Sequence, residues 1–256
     1  MHNLNLQLNK NTLQQVFSLH DKRDLTIDCV LEGTMCDVIV DCHKSPKVFL
    51  IKNGPFHILG GDSKSSKAEN LLDIIPCGAV ILPSPLGWIS KLEKKSNITL
   101  QKHERFSLNH ENISIHHLDG IIASKPSLLT VKRIDALLAC EISQDEKFQY
   151  HFQNFKCKSD FLNRGIGYAA IKDGLIVGVA SSALVCSRGY EISIMILPEN
   201  RGKHFGKVLA SYLVREISSQ NKIAHWDAGN KVSLNLAKQV GYNFKDKYHV
   251  YSVTKI

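Results

Sequence analysis

Between residues 165 and 197 three apolar segments follow one another on connections too short to hold a helix. Gly165-Ile-Gly167-Tyr-Ala-Ala-Ile171 is separated from Leu175-Ile-Val-Gly-Val-Ala180 by Lys172-Asp173-Gly174. Asp-Gly is a strong two-residue hairpin signal, because the favoured turn needs positive φ at both central positions. A second turn near Gly189 leads into Glu191-Ile-Ser-Ile-Met-Ile-Leu197. Pro198 ends that strand, since proline has no N–H to give to a ladder. Strands joined this tightly form an antiparallel meander, so this part of the chain must be built on a sheet. Phe205, Val208, Leu209, Tyr212, Leu213 and Ile217 then recur at spacings of three and four, which predicts an amphipathic helix starting near residue 205.

The 256 residues allow one large domain or two smaller ones. With 43% hydrophobic and 22% charged residues, a disordered tail and a collagen-like repeat are excluded. Residues 1–115 are irregular, with short apolar runs broken by Asn53-Gly54-Pro55, Gly60-Gly61-Asp62 and Pro83-Ser84-Pro85. They read as an N-terminal mixed α/β subdomain, and residues 116–256 as the domain carrying the sheet. Leu71-Leu72 and Ile74-Ile75 before Pro76 fit a short helix or a strand. Leu128, Val131, Ile134 and Leu138 fall on one helical face and predict a helix over residues 127–139. No internal repeat is visible.

The seven cysteines are odd in number and scattered, without a Cys-x-x-Cys pair, which argues against a disulfide framework and a zinc ribbon. Cys29, Cys36, Cys42 and His43 cluster in strand-like runs and read as structural thiols, so no metal site is expected. His110, His116 and His117 lack metal-ligand spacing and read as surface residues. Neither a signal peptide nor an uninterrupted apolar run of spanning length is visible, so a cytoplasmic protein with no membrane partner is expected. Lys plus Arg number 32 against 24 acidic residues, a net +8 that suits a phosphate-bearing ligand. Nucleic acid is not expected, because few aromatics accompany the lysines.

The segment Arg201-Gly202-Lys203-His204-Phe205-Gly206-Lys207 joins the last strand to the helix. A basic, glycine-containing turn at a helix N-terminus can bind an anion, because the first helical amides have no internal partner and the macrodipole adds positive potential. An ordinary strand-to-helix turn is the other reading of the same residues. The segment resembles the Arg/Gln-x-x-Gly-x-Gly/Ala loop of the GNAT superfamily of acyl-CoA-dependent N-acyltransferases. His225-Trp226-Asp227-Ala-Gly-Asn230-Lys-Val-Ser233-Leu-Asn-Leu-Ala237-Lys-Gln-Val-Gly241-Tyr242 looks like that superfamily's fifth strand, following helix and closing Gly-aromatic turn. Together with Tyr190-Glu191-Ile-Ser-Ile these residues are similar to a bacterial branch with a long N-terminal subdomain.

The resemblance implies an α/β (α+β) fold whose C-terminal GNAT domain has a central mixed, mostly antiparallel sheet flanked by helices. It implies acetyl-CoA as co-substrate. The Ile196 amide would bind the thioester carbonyl with Leu197 flanking it, and the amides of residues 202–207 would hold the pyrophosphate. Arg201, Asn230 and Ser233 would complete the cofactor contacts. The implied reaction is direct attack of a primary amine on the thioester. An alkylammonium with a pKa of about 10 must first lose a proton, so a base is needed. Glu191, alone on an uncharged strand, is the candidate base, and a solvent-facing or ion-paired carboxylate is its alternative reading. Alternation on the next strand would put His225 and Asp227 on one face, opposite Trp226, as a relay or a hydrogen-bonded pair.

Two positions depart from the pattern. His204 stands where the loop's first glycine is usual, and Ala237 where many relatives carry the tyrosine that protonates the leaving thiolate. The leading expectation is an acetyl-CoA-dependent N-acetyltransferase acting on a small-molecule or peptide amine. Its alternative is a catalytically degenerate GNAT domain serving as a CoA-binding or interaction module. A strand near residues 248–253 could leave an edge for a homodimer.

Overall fold

The computed structural model describes residues 2–3, 10–18, 20–21, 24–111 and 113–255. The chain opens with β1 (His2–Asn3) and two helices, α1 (Lys10–Phe17) and α2 (Thr26–Glu32). Strands β2 (Asp37–Val40), β3 (Val48–Asn53) and β4 (Phe56–Gly61) follow, then α3 (Ala68–Asp73), β5 (Val80–Ser84), α4 (Gly87–Glu93) and β6 (Ile98–Asn109). Helix α5 (Ile115–Ala123) follows and buries Leu118 and Ile121 in the same core as the later helix over residues 205–219. The second series is β7 (Thr130–Arg133), α6 (Ala136–Gln144), α7 (Lys158–Arg164), β8 (Gly167–Lys172), β9 (Leu175–Cys186) and β10 (Gly189–Ile196). It continues through α8 (Phe205–Ser219), β11 (Ile223–His225), β12 (Asp227–Ala228), α9 (Lys231–Val240) and β13 (Asn243–Lys255).

Set α5 aside and count β11 with β12 as one interrupted strand, and the second series repeats the first. Each runs strand, two helices, three meandering strands, helix, strand, helix, strand. The pairing repeats as well. β1 through β4 are antiparallel neighbours in order and β4 pairs parallel with β5. β7 through β10 do the same, and β10 pairs parallel with β11. An internal repeat is therefore present, contrary to the sequence reading, because topology depends on apolar spacing and turn lengths rather than residue identity.

The chain divides into two compact units, Met1–Arg105 with Lys247–Ile256, and Phe106–Asp246. In the first, β5 pairs with the far end of β13, Tyr251 opposite Ile81. Its core gathers Trp88, Leu50, Leu59, Leu71, Leu72, Ile81 and Val253. Leu71 and Leu72 lie in helix α3, whereas Ile74 is its C-cap and Ile75 lies beyond it. In the second unit the order is β11-β10-β9-β8-β7. Helix α8 buries Phe205, Val208, Leu209, Leu213, Val214 and Ile217, the face its apolar spacing predicted, in a core with Trp226 and Tyr242. The end of β6 reaches this unit, where Ser107 and Phe106 pair with Asp227 and Ala228 of β12.

Two expectations are corrected. Residues 127–139 are not one helix: Thr130–Arg133 is a strand paired with β8, and the helix starts at Ala136. Asp135 caps that helix, its Oδ1 accepting the Leu138 amide at 2.9 Å, so a start signal stood inside the apolar run. Leu128, placed by spacing on the apolar face, is 51% exposed. The 248–253 strand is not an edge either, because β13 lies between β5 and β6.

Candidate functional site

β10 and β11 run parallel and paired only at Gly189 with Ile223, Tyr190 with Ala224, and Glu191 with His225. After His225 the chain leaves β10, and Asp227 joins β6. β10 continues to Ile196 with β9 as its neighbour on one side and, among the described strands, none on the other. The Leu197 amide donates to the Val177 carbonyl at 2.9 Å. Because alternate residues of an antiparallel strand bond to the same neighbour, the Ile194 and Ile196 backbone groups face the open side. There Arg201 Nε donates to the Ile196 carbonyl at 3.1 Å. Ile196 itself needs Gly178 opposite, where a Cβ would stand 2.3 Å from its Cδ1.

Beyond the open edge, Pro198–Asn200 forms one 3-10 turn and the chain enters α8 through residues 201–204. Gly202 has φ 74° and His204 φ 63°, both left-handed. A non-glycine residue there costs roughly 1–2 kcal/mol, so His204 keeps the backbone shape of the glycine it replaces. The 15-residue α8 presents its first amides at this turn beside exposed Arg201, Lys203 and His204. Phe205 is buried and pins the first turn. A Cβ at Gly206 would lie 3.4 Å from both Ile196 Cγ1 and Leu236 Cδ2, about van der Waals contact, so the first turn of α8 lies close to the strand end and to α9. Loop and open edge are thus adjacent parts of one construction, and together they could hold a phosphate-bearing chain laid along β10.

The opposite face of the sheet carries the ionisable groups. Ile192, Ile194 and Ile196 pack with the α8 core, so Glu191, Ser193 and Met195 point the other way. Glu191 Oε2 and His225 Nδ1 are 2.5 Å apart, with only 12% and 15% of the side chains exposed. A proton on Nδ1 facing the carboxylate leaves Nε2 with its lone pair, the arrangement that orients an imidazole as a base. Tyr242 is buried below, its hydroxyl donating to the Ala224 carbonyl at 2.6 Å. Burial, and then the Glu191 charge, push its pKa well up, so it stays protonated. His110 is held below the usual histidine range by burial first and then by its basic neighbours His225, Arg188 and Lys245, against the opposing charge of Glu111.

His225 and Asp227 do not share a strand, as sequence alternation had placed them. The ladder changes partner at Trp226, whose ring is buried 5.3 Å from that of Tyr242. Trp226 Nε1 donates to Ser233 Oγ at 3.1 Å, and Asn230 Oδ1 accepts the Ser233 amide at 2.9 Å as the cap of α9. Ala237 is fully buried in the same core. Among the described residues no group of three or more His, Cys, Asp or Glu side chains is placed to hold a metal ion. No helix there is long and apolar enough to cross a membrane. Sequence reasoning missed the Glu191–His225 pair, which depends on a parallel register set across α8.

The comparisons agree with this geometry. The GNAT acetyltransferase family model matches residues 15–251. An uncharacterized N-acetyltransferase, YdfB of Bacillus subtilis (strain 168), is 25% identical over 130 residues, 49% of each chain. The match thus spans about half the length of that curated relative. A GCN5-related N-acetyltransferase-like protein from Streptococcus suis 89/1591 superposes with a TM-score of 0.84 at 24% identity, covering 96% of this chain and 99% of that one. A tandem GNAT protein from the clavulanic acid biosynthesis pathway superposes with a TM-score of 0.56 at 9% identity, covering 98% and 96%. With the family model spanning both units, the parted strands and the loop before α8, the chain belongs to the GNAT acetyltransferase family.

Proposed function

We propose that the second unit is an acetyl-CoA-dependent N-acetyltransferase acting on a primary amine. One observation carries the reading: β10 and β11 part after Glu191 and His225, leaving the Ile194 and Ile196 edge open above residues 201–207. A pantetheine arm is an extended chain with amides, which such an edge can pair as a strand would. The exposed turn with Arg201, Gly202, Lys203, His204 and the first amides of α8, from Phe205 through Gly206 and Lys207, suits the pyrophosphate. Leu197 flanks the edge, and Asn230 and Ser233 fix the start of α9 beside it. Acetyl-CoA supplies the acyl thioester: the amine nitrogen bonds to the acyl carbon, the C–S bond breaks, and the proton the amine gives up is matched by one taken by the thiolate. The open amides of Ile194 and Ile196 are preorganised donors for the carbonyl oxygen. Glu191 with His225 takes the proton from the ammonium, directly or through one water. A cytoplasmic setting is part of the proposal, on the scattered cysteines.

Calorimetric titration with acetyl-CoA, with 3′-dephospho-CoA as control, tests the cofactor reading. Micromolar binding is expected; no binding by the folded protein would favour the interaction-module alternative. For the base, Glu191→Gln and His225→Gln should each lower turnover roughly 10²–10³-fold with acetyl-CoA affinity kept. Unchanged turnover in both would return the pair to a structural role.

A further inference from the structure

The sheet face that carries Glu191 holds a second constellation, three strand positions deep. Ser193 and Met195 follow Glu191 on it, and Ser181 of β9 stands directly across the ladder from Ser193. The 3-10 segment Gln149–Phe152 crosses this face. It is pinned at both ends by buried Phe148 and Phe152, the latter with its ring 4.6 Å from that of Phe161. In its middle, His151 is buried and Nδ1 lies 2.7 Å from Ser181 Oγ. Burial pushes its pKa down to about 3, so the anchor is uncharged. Asn154 Nδ2 donates to the Ala183 carbonyl at 3.1 Å and fixes the exit of the segment. On this base burial pushes the Tyr150 pKa up, and the nearby Ser193 side chain works against that shift. The Tyr150 ring lies 4.3 Å from the His151 ring at 30°, yet the residue remains 36% exposed.

A partly exposed tyrosine whose ring is backed by another ring is a prepared stacking surface. Met195, next on this face of β10 after Ser193, is a polarizable apolar side chain. Glu191 on this face is paired with His225. Around neighbouring His110 the exposed Arg188 and Lys245 act as positive charges and Glu111 as a negative one. A polycation brought here would meet carboxylates that already have basic neighbours.

Resting on the acetyltransferase reading of this unit, we propose that Tyr150 recognises the acceptor, and that the acceptor is a monoamine with a flat apolar body. Its ammonium reaches Glu191 and His225 while its body lies against the Tyr150 ring and Met195.

Phenethylamine and spermidine, titrated into the protein with and without saturating coenzyme A, test this. Phenethylamine should bind at least tenfold more tightly than spermidine. Tyr150→Ala should weaken phenethylamine tenfold or more and leave acetyl-CoA affinity unchanged. Tyr150→Phe, which keeps the ring and loses only the hydroxyl, should weaken it less. Spermidine binding as tightly as phenethylamine, no phenethylamine binding, or indifference to Tyr150→Ala in a variant of unchanged thermal midpoint would each overturn the proposal. Failure of coenzyme A to bind sinks the acetyltransferase reading instead; Tyr150-dependent phenethylamine binding without coenzyme would still uphold the recognition site.

Discussion

The two units repeat one order of elements and differ where their parallel strands end. In the first, β4 and β5 stay paired over five positions, from Phe56 with Val80 to Gly60 with Ser84. In the second, β10 and β11 part after three. The first unit seals its seam from inside: Gly60 sits on the Phe49 ring, and Trp88 Nε1 donates to the Gly61 carbonyl at 3.2 Å. The turn that follows spends its amides internally. Asp62 donates to the Lys47 carbonyl, Lys64 to Asp62 Oδ1, Lys67 to Ser65 Oγ and Ala68 to the Ser65 carbonyl. It leads into the six-residue α3, where the second unit has the 15-residue α8. A shared topology therefore does not carry a shared open edge. What makes one is a strand that leaves its partner, here because Trp226 is drawn into the core and Asp227 pairs with β6.

If the parted strands decide binding, each chain takes up one acetyl-CoA, and only the turn of the second unit responds to charge. Gly206→Glu adds a carboxylate at the first turn of α8, where it suits the helix but opposes a pyrophosphate. Affinity should fall at least a hundredfold, about 2.7 kcal/mol, with folding kept. Lys64→Glu with Lys67→Glu in the first unit should leave affinity and stoichiometry unchanged. Two equivalents per wild-type chain would break the comparison outright.

Next in size is the packing of the sealed seam. A Cβ at Gly60 would stand 2.2 Å from the Phe49 ring, deep in the first core. Gly60→Ala should cost about 1–3 kcal/mol in denaturant unfolding and leave acetyl-CoA affinity alone. Gly178→Ala in the second unit presses on Ile196 and should weaken acetyl-CoA as well. Equal effects of both on binding would mean the units are not separable in function.

Much of the second unit was legible because its signals are local. Asp173 and Gly174 adopt φ 51° and 79°, the turn their chemistry demands, and α8 begins at Phe205 where the apolar spacing starts. The parting of β10 from β11 was not, since it depends on a ladder between Asp227 and Ser107 far apart in sequence. Nor was the sealed first unit, whose glycines read as turn signals although Gly60 is a close approach to an aromatic ring. Thr130–Arg133 failed for a related reason. A four-residue strand has too little periodicity to outweigh a chance helical spacing, and only its pairing with β8 defines it.

Acid separates the units more gently. Burial lowers the pKa of His57 in the first unit and, to about 3, that of His151 in the second. A histidine whose folded pKa lies below its unfolded value of about 6.5 leaves the unfolded chain binding the extra proton. The contribution of His151 is whole above pH 6.5 and is lost as pH falls toward about 3, by roughly 1.4 kcal/mol per pH unit, and that of His57 has the same sign. Unfolding free energies between pH 7.5 and 4.5 should fall more steeply in the wild type than in His151→Gln. Parallel slopes would show that His151 takes up its proton in the folded state.

The smallest effect concerns the one residue of the loop that departs from glycine. His204 holds a left-handed φ of 63° that glycine adopts without strain, while glycine also gains freedom in the unfolded chain. The two terms oppose each other, so His204→Gly should change stability by less than about 1 kcal/mol. Binding is a separate question, because the imidazole is exposed at the turn and its Cβ occupies space a phosphate would use. Where crowding dominates, His204→Gly tightens acetyl-CoA up to tenfold; where the imidazole donates to the phosphate, the same change weakens it. We expect tightening, since the backbone already keeps the glycine shape and the side chain adds only bulk. Titration of acetyl-CoA into His204→Gly and His204→Ala separates the causes. Strain relief favours glycine alone, whereas relief of crowding by the ring favours both, and weakening in both would make His204 a phosphate ligand.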